Sequence, residues 1–149
     1  MEVAALVISI IALLVSIVVA CIEYFRDFKI AKIGLEFEFY REIYKEHLIY
    51  KIPEARNVMW IDEKRYLRDS DKLIEELNRI RRDSLYFMYN NRPFYEELKT
   101  QLQKLEDYII KAGEKELAID EQATFLNTVQ DSLDGIYRVI SNAYCGKAG

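Results

Sequence analysis

The chain contains a single histidine, His47. A histidine-based metal cage, catalytic triad or acid–base pair would therefore need its second histidine from another subunit. The five glycines are scattered, so there is neither a glycine-rich phosphate loop nor a Gly-x-Ser-x-Gly nucleophile elbow, and no residue is assigned a catalytic role. One basic cluster stands out. Arg79, Arg81, Arg82 and Arg92 gather around the Asn90-Asn91 break, with Tyr86 and Tyr89 beside them. Guanidinium groups grip phosphate oxygens in a fixed fork and aromatic rings stack bases, so these six residues are candidate ligands for a nucleotide or oligonucleotide. Glu75, Glu76 and Asp83 interleave with them, the pattern of a solvated face of mixed charge. A symmetric oligomer would multiply the cluster around its axis.

The run Arg41-Glu42-Ile43-Tyr44-Lys45-Glu46-His47 resembles the Arg-x(4–6)-His signature of HEPN ribonucleases, helical domains of about this size that cut RNA as dimers. That resemblance implies Arg41 and His47 as a pair acting on RNA. Along an unbroken α-helix, six residues rotate by about 240°, which puts the two side chains on different faces unless the helix breaks between them. His47 also falls near the apolar side, where a core or interface histidine is expected.

The residues before this point fix where such a protein would sit. Val3 to Ile22 is twenty residues without a charge, enough to cross a hydrocarbon core of ~30 Å as a helix. Only Glu2 and the amino terminus precede it, whereas Arg26, Lys29, Lys32 and Arg41 follow. The basic excess predicts a single pass through the inner (cell) membrane, N-terminus outside and the remainder cytoplasmic. A secretory signal would need a basic opening, which is missing. Val18-Val19-Ala20-Cys21 resembles a bacterial lipoprotein cleavage box, but that signal also opens on Lys or Arg. Within the run, Ala5, Ser9, Ala12, Ser16 and Ala20 recur every three or four residues and share an arc of roughly 80°. Small side chains and hydroxyls let helices approach closely in lipid, so the stripe is a candidate self-association seam or pore lining.

The expected fold is all-α: residues 1–22 as a transmembrane helix continuing into a cytosolic four-helix bundle over residues 23–149. From Tyr24 to Ile52, Ile33, Phe37, Tyr40, Tyr44 and Leu48 keep helical spacing, so helix is expected to run from Val3 to Ile52, about 75 Å. Ile33, Leu35, Phe37 and Phe39 also alternate as a strand would, but lack a partner strand. Pro53 restarts a short helix to Trp60, and Asp62–Asp69 reads as a connector with Asp69 or Ser70 as the next cap. A helix over about Asp71–Tyr89 should bury Leu73, Leu77, Ile80 and Phe87. Pro93 opens the next, carrying Tyr95, Leu98, Leu102, Leu105 and Ile109 to a C′ glycine, Gly113. Asp120 caps a last helix through Leu126, Val129, Leu133, Ile136 and Ile140, ended by Gly146. The eleven tyrosines and seven phenylalanines fit these apolar faces as packing.

A net charge of -4 gives no general pull toward nucleic acid or anionic lipid, and two cysteines, Cys21 and Cys145, fit a reducing compartment. No cofactor or metal is expected. In overall plan the chain resembles small single-span membrane effectors of bacterial anti-phage systems, such as the Hailong channel effector and the membrane accessory protein of type VI-B CRISPR loci. The resemblance implies a homo-oligomeric gated channel or membrane-disrupting effector in antiviral defence, controlled by its cytosolic helices through a nucleotide or oligonucleotide signal or a partner protein. A membrane-tethered adaptor for a cytosolic protein is the alternative, a HEPN-like ribonuclease a second.

Overall fold

The computed structural model describes the backbone of residues 2–144 and the side chains of Val7 and of residues 9–144. The side chain of Ala5, as well as Cys145 and Gly146, lies outside the described residues. The chain is mostly helical: α1 (Glu2–Glu42), a π-helical segment (Ile43–Lys51), α2 (Ile52–Val58), α3 (Asp71–Asp83), α4 (Leu85–Asn90), α5 (Arg92–Gly113) and α6 (Ile119–Tyr144). Two short strands, β1 (Trp60–Ile61) and β2 (Leu67–Arg68), pair antiparallel between α2 and α3. Contacts divide the chain into two units, the first ending at Glu38 and the second beginning at Phe39.

In the first unit the helix is apolar and bare. Residues Ser9 onward make one helix long and apolar enough to cross a membrane, and its most apolar window is 0% buried. Exposure continues past the uncharged run through Tyr24, Phe25, Phe28, Ile30, Ile33, Leu35 and Phe37. Ile33 and Phe37, expected on the packed face of a bundle helix, are therefore exposed; the buried core begins at Tyr40, with Phe39 packed against it. The segment 33–39 is helix, with no trace of the alternating strand pattern.

The second unit has a continuous core. Leu73, Leu77, Ile80 and Phe87 are all fully buried, and Leu98, Leu102, Leu105 and Ile109 form the matching face of α5. On α6, Val129, Leu133, Ile136 and Ile140 are buried, with Leu126 packed at the edge. Within α3, α5 and α6 the buried residues repeat every three or four positions, which gathers each set into one stripe, while Phe87 joins the core from α4. Tyr40 stacks on Phe87 at 4.3 Å between ring centroids, and Phe94 meets both edge-on at 5.0 Å. Asn91 caps α5: its side chain accepts from Phe94 N–H at 3.4 Å and donates to the Tyr40 hydroxyl at 2.8 Å.

Several local expectations are corrected. Ser84, 1% exposed, interrupts the helix expected over Asp71–Tyr89; its hydroxyl donates to the Arg81 carbonyl at 3.0 Å, and α4 starts anew at Leu85. Trp60 lies in β1 instead of closing α2, and the Asp62–Asp69 connector holds a β-ribbon pairing Trp60 with Arg68 and Ile61 with Leu67. Its turn has positive φ at a non-glycine residue, Arg65 (64°), and Asp69 (55°), just past β2, has it too. Asp62 holds the turn, accepting from Tyr66 N–H at 2.9 Å and Arg68 Nε at 2.8 Å. Ser70 occupies the N-cap of α3 without a side-chain cap bond, while Asp69 accepts from the Trp60 indole at 2.9 Å. Gly113 is the last residue of α5 and has no positive φ, so it is not a left-handed C′ residue. At the start of α6, Glu121 rather than Asp120 caps the chain, accepting from Ala118 N–H at 3.2 Å.

The nine-residue π segment breaks the α register between Arg41 and His47. Ile52 N–H donates to the His47 carbonyl five residues back, the wider π turn. The same pattern would give the Leu48 carbonyl the N–H of residue 53, but that residue is Pro53, which has none. The Tyr137 hydroxyl, from α6, donates to the Leu48 carbonyl instead. A proline has removed a donor from one element, and a distant tyrosine supplies it.

Candidate functional site

The π segment delivers His47 into the second unit with 4% of its surface exposed. Its Nδ1 lies 2.5 Å from Glu76 Oε1 and its Nε2 lies 3.2 Å from Asp83 Oδ2. Glu76 and Asp83 are seven residues apart on α3, two turns along one face. Glu76 is itself 4% exposed, whereas Asp83 reaches solvent. Each ring nitrogen therefore has a carboxylate oxygen within hydrogen-bonding distance. Burying polar groups of this kind is costly unless each has a partner, and here His47 and Glu76 supply one another's.

Around this triad, Glu46, Lys51, Glu75, Arg79 and Arg82 line a recess of about 320 Å³. Arg79 Nη2 lies 2.5 Å from Glu75 Oε1, and its Nη1 is 3.9 Å from Glu76 Oε2. The Glu75 carboxylate, with Glu76 and Asp83 near, pushes the Arg79 guanidinium above its ordinary value. Arg82 Nε lies 3.3 Å from Asp83 Oδ1. The recess thus pairs each cation with an acid; a phosphate entering it would have to displace Glu75 from Arg79.

The other sequence-derived candidates are not gathered here. Arg81 turns toward α5, where its guanidinium pairs with Glu106 while its buried Nε has no acceptor. Arg92 begins α5 and lies 3.9 Å from Glu96. Tyr86 is packed, its ring stacked 4.2 Å from Phe39, and Tyr89 is 82% exposed. Of the six, only Arg79 and Arg82 share the recess. Arg41 is exposed on the far side of the π break from buried His47. Of the small-residue stripe, Ser9, Ala12, Ser16 and Ala20 are exposed on α1, with the Ser16 hydroxyl donating to the Ala12 carbonyl at 2.9 Å.

Sequence reasoning had singled out His47 but missed its partners. The signal was present: Glu76 stands among Leu73, Leu77 and Ile80 on the buried face of α3, and a carboxylate there needs a donor. A second cavity, about 500 Å³, opens between the end of α5 and the start of α6 over Tyr108, Leu117 and Phe125, with Lys111 and Lys115 among its lining residues. Among the described residues, no group of three or more His, Cys, Asp and Glu side chains is arranged to hold a metal ion. Compared with family models, curated proteins and solved structures, the chain matches none.

Proposed function

We propose that the chain is a homo-oligomeric, single-span membrane protein that acts as a gated channel or membrane-disrupting effector, with its helical second unit cytosolic and controlling it. The observation that carries this reading is the bare apolar surface of α1: its most apolar window is 0% buried. Fully burying a Leu, Ile or Val side chain is worth about 1.5–3 kcal/mol, so a row of them left in water would drive the helix into lipid or onto other copies. Bilayer accounts for the uncharged run; copies of the chain account for the Ala/Ser stripe and for the apolar side chains beyond it. Bacterial anti-phage defence is the biological setting that the overall plan favours, and the second unit would receive a nucleotide, an oligonucleotide or a partner protein.

The ribonuclease alternative is less well supported, because both nitrogens of His47 are already engaged and a general acid or base must reach its substrate. The adaptor alternative draws on exposed Tyr89 and Ile119 in the second unit.

The test is the purified full chain in lipid nanodiscs and planar bilayers. An oligomeric mass together with ionic current, with or without candidate oligonucleotides, is the expected result. Oligomer without current would remove the channel, and a monomer would leave only a tether. Replacing Ala12 and Ser16 with Leu should disperse the oligomer.

A further inference from the structure

From Val7 to Leu35 one set of exposed apolar residues of α1 repeats every three then four positions: Val7, Ile10, Leu14, Ile17, Cys21, Tyr24, Phe28, Ala31 and Leu35. Inside the uncharged run this spacing is uninformative, because every face is apolar. Beyond it the spacing discriminates. Between Glu23 and Phe37 lie Glu23, Arg26, Asp27, Lys29, Lys32 and Glu36, and none of these charges falls on the repeat. A strict seven-residue repeat with two apolar positions is the pattern of a left-handed coiled coil. Asp27 falls at the g position and Lys32 at the following e′, the two sites that face each other between neighbouring parallel helices. Among the described residues, Asp27 is approached by adjacent Arg26 at 3.6 Å, with both side chains largely exposed.

We infer that residues Tyr24–Leu35 form a parallel coiled-coil seam with a second copy of this chain, closed by Asp27–Lys32 pairs between copies. The inference rests on the proposed single-span topology, which makes all copies parallel. It also assigns the contact to a face other than the Ala/Ser stripe. That stripe occupies mainly c and f positions, turned away from this seam and left to meet a further neighbour. Parallel alignment brings opposite charges together along the flanks, which favours a second copy over a lipid surface as the cover for Phe28 and Leu35.

The test uses the full-length protein in liposomes, with Cys21→Ser and Cys145→Ser as background. Oxidation should cross-link Ala31→Cys at least tenfold more than Lys29→Cys, one position past Phe28 and off the seam. Asp27→Lys should lower the Ala31→Cys cross-link at least fivefold, and adding Lys32→Asp should restore it. Equal cross-linking at positions 29 and 31, or no rescue by the charge exchange, would overturn the seam while an oligomeric mass kept the proposed assembly. A monomeric mass would overturn both.

Discussion

The two units of this chain solve the burial problem in opposite ways. In the second unit, Leu98, Leu102, Leu105 and Ile109 are sealed against α6 and α3 by residues of the same chain. In the first, side chains of the same kind, Leu13, Leu14 and Ile17, are more than half exposed. The composition of a helix therefore does not tell whether it belongs to a core; what distinguishes these two is the pattern of charge. α5 carries charges down one side and must turn that side to water. The run up to Ile22 carries none, so any apolar surroundings serve it equally.

The comparison is broken most forcefully by one truncation on each side of the boundary. Leu98→Ala should cost the second unit about 3 kcal/mol through lost contacts and the cavity left behind. Leu14→Ala should leave its unfolding unchanged. Trp60, the only tryptophan, sits in β1 and reports this unit's unfolding by fluorescence during urea titration of the full chain in detergent. Equal losses from the two changes would mean that the units are not independent.

The buried charges sharpen the contrast further. Glu76→Ala removes the Nδ1 partner of His47 and leaves a buried imidazole facing a gap; the expected cost is about 3 kcal/mol. Exchanging both for leucine, His47→Leu with Glu76→Leu, should recover most of that loss, since a buried pair can be replaced by apolar packing at little cost. A loss below 1 kcal/mol for Glu76→Ala would show that the triad contributes little to the second unit.

Much of this fold was legible in the sequence. The faces of α3, α5 and α6 follow from spacing alone, and Asn91-Arg92-Pro93 announces the start of α5 because proline suits a first turn and asparagine caps it. The π segment was not legible. Ile43, His47, Leu48 and Ile52, its inward residues with the first of α2, read as an α-helical face, and the register change shows only once Pro53 is seen withholding a donor from Leu48. The β-ribbon was hidden because two-residue strands carry no alternation, and its turn rests on positive φ at Arg65, where a glycine signal would be sought. The basic cluster was visible as a list of arginines, but contiguity in sequence spread Arg79, Arg81 and Arg92 toward three different acids. Only the positions of Glu75, Glu96 and Glu106 decide that.

Tyr137 tests how far the second unit relies on supplying its own missing partners. Tyr137→Phe keeps the ring but leaves the Leu48 carbonyl without the α6 donor, an expected loss of about 1 kcal/mol. Burial, with Tyr44 and Asp134 close by, pushes the Tyr137 phenol above its ordinary 10.0. A phenol raised in the folded state favours folding while protonated, so its contribution is complete below pH 10 and disappears as pH rises through the raised value. The wild-type chain should therefore lose stability in that alkaline window by more than Tyr137→Phe does.

The smallest effect belongs to the ribbon. Tyr66 N–H is the largest influence on the Asp62 carboxyl, and with the Arg68 guanidinium it holds that group below its ordinary 3.8 despite partial desolvation. A carboxyl lowered in the folded state stabilises it when ionised, so the contribution is present above 3.8 and fades as pH falls through the lowered value. Hydrogen exchange at the Tyr66 amide should accelerate, relative to its intrinsic acid profile, as Asp62 becomes protonated. In Asp62→Asn that pH-linked step should vanish while the Leu98 amide in α5 keeps its protection. If the step persisted in Asp62→Asn, another group would be closing the turn, and Glu116, which lies between α5 and α6 and pairs with Arg65 of the turn, would be the next to replace.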